Sequence, residues 1–370
     1  MFRRMMGGVA ALALLAVAGP GLAQDFSAVQ ISEGIRTISA DAYQGRYPGT
    51  EGERMVLSWL QAQYEAMGLE PGGPDGQWLQ PVTLKRYTPV AGATASWTGP
   101  DGQVHALTPG TDIVLRAISN DGRAAIRGAG LVFAGYGIHA PERQWDDYGD
   151  TDVRGRVVVV VDGEPEGQRF NGDYDTVYES AEYKADEAFR RGAVGIVTLL
   201  LQPASSRVWQ GAIRRSGRTV TLTPGAADLE FSASVPHDTA EAWAGAAGLD
   251  ISAIAGISSG TFRAVPLNGV SLSVDVAETI DTLVTHNLLA RIPGTEHPDQ
   301  TIIYSAHWDH VGGAAQHPGI EGDNVWNGAW DNASGTIGVL EMARQLSAAP
   351  RPKRSIVFAH MAAEEMGLLG

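Results

Sequence analysis

The sequence predicts an α/β protein: a mostly parallel sheet flanked by helices, interrupted by an inserted β-rich α/β segment. Three observations carry that prediction. "QTIIYSAH" (300–307), "ASGTIGVLEMARQLSAA" (333–349) and "RSIVFAHMAAEE" (354–365) read as strand, helix and strand, at the spacing of a βαβ unit. "RVVVVVDG" (156–163) is an unbroken β-branched run, the pattern of a strand buried on both faces. The chain has 370 residues, more than one core usually serves, and its texture changes near residues 125 and 265.

The first residues read as an export signal. Arg3 and Arg4 make a basic start, and "GGVAALALLAVAG" (7–19) is an apolar run too short to span a bilayer comfortably. Gly21-Leu22-Ala23 then sets small residues at the positions a signal peptidase reads, so cleavage after Ala23 and a periplasmic or secreted location are expected. No later segment is apolar for long enough to span a bilayer, so no membrane span is expected after cleavage.

"TEGERMVLSWLQAQYEAMGL" predicts a helix over about 51–67. Thr50 and Glu53 have capping-box spacing, Val56, Trp59, Leu60, Tyr64 and Met67 form a stripe, and Gly68 is a stop. "PGGPDG" (71–76) is a turn, followed by short strands to about residue 120. "GAGLVFAGYGI" (128–138) is a strand entering a glycine-rich bend, and "SAEYKADEAFRRGAVGIVTLL" (180–200) is a helix closed by Gly192, then a strand. "HNLLARIPG" (286–294) is a strand and turn. The predicted division is 1–23 signal, 24–124 first part of the main domain, 125–265 inserted segment and 266–370 remainder.

Composition narrows the function. Lys and Arg number 27 against 42 Asp and Glu, a net charge of −15, which argues against nucleic-acid partners and anionic membrane surfaces. There is no cysteine, so disulfides and a lipid-anchored thiol are excluded, and any metal must be held by histidine and carboxylate.

Ligands of open parallel sheets gather beyond the carboxyl ends of the strands. His307 and Asp309 follow the first strand of the βαβ unit, Glu364 and Glu365 follow the second, and Asp331 opens the helix between them. Residues two apart in extended chain point the same way, so His307 and Asp309 share a face. Side-by-side carboxylates repel unless they share a proton or a cation. An imidazole among oxygens favours zinc, manganese or cobalt over calcium, and a bridging carboxylate allows two ions ~3.5–4 Å apart. Each group also has a plainer role. A strand-end histidine usually makes a structural hydrogen bond, Asp331-Asn332-Ala333-Ser334 suits a helix cap, and paired glutamates suit a solvated helix start. Asn332-Ala333-Ser334 also matches a glycosylation sequon, and His310 and His317 are not placed on this edge. Polar groups at three consecutive element ends on one edge favour the metal reading.

"SAHWDHVG" (305–312), "NGAWDNASGT" (327–336) and "AAEEMGLLG" (362–370) resemble, in order and spacing, the metal-site motifs of family M28 zinc exopeptidases. "QGRYPGTEGE" (44–53) and "DGQWLQP" (75–81) are similar to the entry segment of bacterial members. "GLVFAGYGI", "RVVVVVDG" and "KADEAFRRGAVGIV" resemble a protease-associated (PA) domain inserted in such enzymes. The resemblance implies two zinc ions in a complete site. His307 would be a terminal ligand of one, Asp331 the bridge, Glu365 a ligand of the other, and Glu364 the general base. Asp309 would orient the His307 imidazole through a hydrogen bond, and the Asp331–Asn332 peptide would be strained. The implied substrates are peptides and the implied activity is that of a metallo-aminopeptidase. A carboxypeptidase acting on acidic C-terminal residues and a non-catalytic peptidase-like binding protein are the alternatives; the presence of all four of His307, Asp331, Glu364 and Glu365 disfavours the last. The family's remaining aspartate and histidine ligands are expected beyond Gly370, so the sequence reads as part of a longer protein, inactive and poorly folded alone.

Overall fold

The computed structural model describes residues 26–172, 174–216, 219–222, 229–248, 262–317 and 321–370; the predicted export signal, residues 1–23, lies outside them. None of the described helices is long and apolar enough to cross a membrane. In chain order the elements that matter are α1 (Ala28–Ile38), α2 (Glu51–Ala66), β1 (Arg123–Phe133), β2 (Val157–Val161), α3 (Ala181–Arg190), β3 (Gly195–Leu200), β4 (Phe231–Pro236), β5 (Val265–Ile292), β6 (His297–His307), α4 (Ser334–Ala348) and β7 (Arg354–Met361). The chain forms two compact units, residues 26–80 with 286–364 and Gly370, and residues 81–285 with 365–369.

In the first unit β6, α4 and β7 form the predicted crossover. β6 and β7 are parallel, with Ile302 opposite Ile356 and His307 opposite Met361. The end of β5 joins β7 antiparallel, Leu288 opposite His360, so the described sheet is mixed. α4 buries Ile337, Val339, Leu340 and Ala343. α1 approaches it closely: a Cβ on Gly34 would lie 2.9 Å from the Ile337 side chain. α2 buries Val56, Leu60 and Tyr64 of the predicted stripe, with Leu57 beside them, while Trp59 and Met67 are half-buried. The capping box at its start does not form. Thr50 makes no side-chain cap bond. Glu53 turns inward, accepting from the Gly49 N–H and lying 3.0 Å from His286 Nδ1. A partner 233 residues away outcompetes the local cap, because a buried carboxylate needs every hydrogen bond within reach.

His360 on β7 is fully buried, its Nε2 2.6 Å from the Tyr64 hydroxyl. Burial pushes its pKa down to about 3. The unfolded chain regains an ordinary histidine near pH 6.5 and binds a proton that the folded chain excludes. This group's contribution to stability is therefore complete above pH ~6.5 and falls as the pH drops toward 3. His360→Gln, which cannot titrate, is expected to flatten that acid loss, read as urea midpoints at pH 4 and pH 7. An unchanged slope would contradict the assignment.

The second unit is built on parallel β1, β2, β3 and β4, with Leu131, Val157, Gly195 and Phe231 in register. All five β2 valines are buried, as the run predicts. Antiparallel strands flank this block: Val114–Ala117 lies on β4, and the first half of β5 lies on β1. By these pairings the second compact unit takes in residues 81–285, among them the 125–265 expected as an insert. Thr94–Thr98 pairs with Ser271–Asp275, so strands on either side of the expected insert belong to one body. Arg116 and Glu278 form a buried two-point ion pair here, at 2.7 and 2.9 Å, and the Ala117 N–H donates to the same carboxylate.

Candidate metal centre

His307 is the last residue of β6, and the chain stays tied to β7 just beyond it, where the Trp308 N–H donates to the Met361 carbonyl at 3.0 Å. Trp308 and Asp309 are both fully buried. Glu364 follows β7 after Ala363, which takes φ +54°. Asp331 lies in the turn Ala329–Ala333 that leads into α4, after Gly328 at φ +56°, and its peptide bond to Asn332 is cis. The Thr336 hydroxyl donates to the His307 carbonyl at 2.8 Å, fixing the start of α4 to the end of β6. The capping role suggested for this stretch falls to Asn332, whose Oδ1 accepts the Gly335 N–H at 2.9 Å, while Asp331 faces the histidine.

The imidazole organises the cluster. His307 Nδ1 lies 3.2 Å from the Asp309 carbonyl, an acceptor, which assigns the ring proton to Nδ1. In the neutral ring Nε2 then presents a lone pair; it faces Asp331 Oδ1 at 3.2 Å and Glu364 Oε2 at 3.5 Å. Three polar atoms thus converge, an arrangement that a shared proton or a cation relieves. Two ligands of one tetrahedral zinc, each about 2.0–2.1 Å from it, stand about 3.3 Å apart. The His307–Asp331 separation of 3.2 Å fits that edge. Among the described residues no group of three or more His, Asp or Glu side chains is drawn together closely enough to hold an ion. Exposure grades across the cluster: the His307 side chain is 10% exposed, Glu364 35% and Asp331 63%.

Four of the five predicted residues come together: His307, Asp309, Asp331 and Glu364. Glu365 opens the segment 365–369 that clusters with the second unit. Asp309 orients the ring differently from the expectation. Its carboxylate Oδ1 stands 3.7 Å from His307 Nδ1, beyond hydrogen-bond reach, and its backbone carbonyl takes that place. The carboxylate instead accepts the Glu364 N–H at 3.1 Å, linking the ligand segment to the glutamate. His317 is structural, with Nε2 3.0 Å from the Val311 carbonyl and its ring against Trp326.

Two supporting residues escaped the sequence reading. Asn287 accepts the Ala362 N–H at 2.8 Å and donates to Gln80, holding the chain that leads to Glu364. Arg46, fully buried, donates to the carbonyls of Trp308, beside His307, and of Gly328, on the loop leading to Asp331. The only local hint was a charge in a glycine-rich stretch. Gly45 beside it takes φ +66°, where an added Cβ would lie 2.2 Å from the Gly312 carbonyl oxygen.

Residues 287–370 match the sequence model described as Peptidase family M28. The chain is 33% identical over 135 residues to aminopeptidase NAALADL1 of Mus musculus, covering 35% of this chain and 16% of that protein. It is 34% identical over 92 residues to a probable zinc metalloprotease of Phaeosphaeria nodorum, covering 23% of this chain and 18% of that protein. The matched parts thus span under a fifth of either relative's length. The solved aminopeptidase from Aneurinibacillus sp. strain AM-1 superposes with a TM-score of 0.48 at 18% identity, covering 93% of this chain and 65% of that one. His307, Asp331 and Glu364 all fall inside the segment, residues 287–370, that is similar to peptidase family M28.

Proposed function

We propose that this chain carries the catalytic metal site of a zinc-dependent aminopeptidase. The observation that carries the reading is His307 Nε2 facing the Asp331 and Glu364 carboxylates. The names of the mouse and fungal relatives support peptide hydrolysis from the amino end and zinc. His307 and Asp331 would hold one ion; Asp331 and Glu365 would serve a second, as the family resemblance implies. Bound zinc supplies a Lewis acid and lowers the pKa of attached water toward neutrality.

The chain's own groups do the rest. His307 would ligate through Nε2, the tautomer being set by the contact of its Nδ1 with the Asp309 carbonyl. Glu364 takes the proton of the attacking water and returns it to the departing amine, work that suits a half-exposed carboxylate beside the ligand pair. The Asp309 carboxylate fixes the Glu364 backbone, so base and ligand keep their spacing. The parallel block of the second unit is the counterpart of the protease-associated insert, and residues 1–23 would direct export to the periplasm or beyond.

The test is a panel of aminoacyl and N-blocked peptide substrates, assayed with and without chelator. Hydrolysis of the free-amine substrates alone, abolished by chelator and restored by zinc, is expected. Preference for N-blocked substrates with acidic C-terminal residues would replace the aminopeptidase by a carboxypeptidase. Chelator-insensitive hydrolysis would remove the metal reading.

A further inference from the structure

We propose that Arg46 is a positioning residue of the metal centre, its guanidinium fixing the separation of His307 and Asp331 by holding the backbone beside each. This rests on the metal reading above. Arginine is rarely buried without a local reason, yet Arg46 is fully buried. Its Nε donates to the Trp308 carbonyl at 2.8 Å, directly after His307. Nη1 donates to Asn327 at 2.7 Å and Nη2 to Gly328 at 2.9 Å, on the loop that delivers Asp331. Nη1 also reaches the Ile38 carbonyl at the end of α1, at 2.8 Å.

Four carbonyls from three chain segments thus meet one rigid planar fork. The backbone of the same residue completes the clamp. The Arg46 carbonyl accepts the His310 N–H, and the Gly45 carbonyl accepts the Gly312 N–H. The histidine-bearing segment is gripped by both backbone and side chain, the aspartate-bearing loop by the side chain alone. Lysine cannot substitute: a compact ammonium has three donors and no fixed fork. Residues that orient metal ligands from behind typically change metal affinity by about 10–100-fold when replaced.

Zinc affinity of the full chain, measured by competition with a chromophoric chelator, separates the possibilities. Arg46→Lys is expected to weaken binding by about 10–100-fold. Tyr64→Phe removes a buried hydrogen bond from the same unit without touching the clamp, and is expected to leave affinity within about twofold. Asp331→Asn tests the underlying reading. If it leaves affinity unchanged, the metal assignment falls and the role of Arg46 falls with it. If it weakens binding while Arg46→Lys stays near wild type, Arg46 alone is refuted. Equal losses in Arg46→Lys and Tyr64→Phe would show general destabilisation and also refute it. Should Arg46→Lys fail to fold by circular dichroism, Gly328→Ala replaces it. The added Cβ would meet Arg46 Nη2 at 2.7 Å and the Asp331 carbonyl oxygen at 2.5 Å, pushing the loop off the fork. The same loss is expected there, and wild-type affinity would overturn the proposal.

Discussion

Glu364→Gln is expected to lower kcat by about 10²- to 10⁴-fold while the bound zinc remains unchanged, the size of a general base's contribution. The glutamine amide has the shape of the carboxylate and cannot take a proton from water. The Glu364 backbone would stay where the Asp309 carboxylate holds its N–H, so the change is confined to the proton acceptor. Metal content by mass spectrometry and kcat on an aminoacyl anilide give the two readings. Loss of zinc together with activity would make Glu364 a ligand, a role its 3.5 Å approach to His307 Nε2 keeps within reach. Retained kcat would remove it from the chemistry.

The largest expected effect on stability lies in the second unit. Glu278→Ala leaves the Arg116 guanidinium buried without the carboxylate that now receives it at 2.7 and 2.9 Å. An uncompensated buried charge of this kind costs about 3–5 kcal/mol. The Ala117 N–H loses its acceptor as well. Removing both charges together, as Arg116→Met with Glu278→Leu, is expected to be neutral or stabilising by about 1–4 kcal/mol, since neither ion is then desolvated. Urea denaturation of the two variants decides it. A Glu278→Ala cost below about 1 kcal/mol would place the pair in the class of solvent-screened ion pairs.

Much of the first unit was legible because its signals are local and repeated. The helix read at 333–349 is Ser334–Ala348, and the strand read at 354–365 is Arg354–Met361. Ala343 and Leu340 recur at helical spacing on the buried face, and no distant partner competes with that period. The cluster was legible for a topological reason: consecutive elements of a crossover end on one edge. What stayed hidden depended on distant partners. Glu53 has the spacing of a cap but is claimed by His286. The extent of the second unit is set in part by Thr94–Thr98 pairing with Ser271–Asp275, a match no local pattern announces. Asp331 and Asn332 are equally good caps on paper, and only the structure shows Asn332 capping while Asp331 turns to the imidazole. Arg46 was read only as part of the segment 44–53; its contacts are with carbonyls up to 282 residues away.

Anomalous diffraction at the zinc edge from crystals grown with zinc tests the centre most directly. An ion about 2.0–2.2 Å from both His307 Nε2 and an Asp331 carboxylate oxygen is expected. Zinc held elsewhere on the chain, with only water or a shared proton between His307 and Asp331, would contradict it.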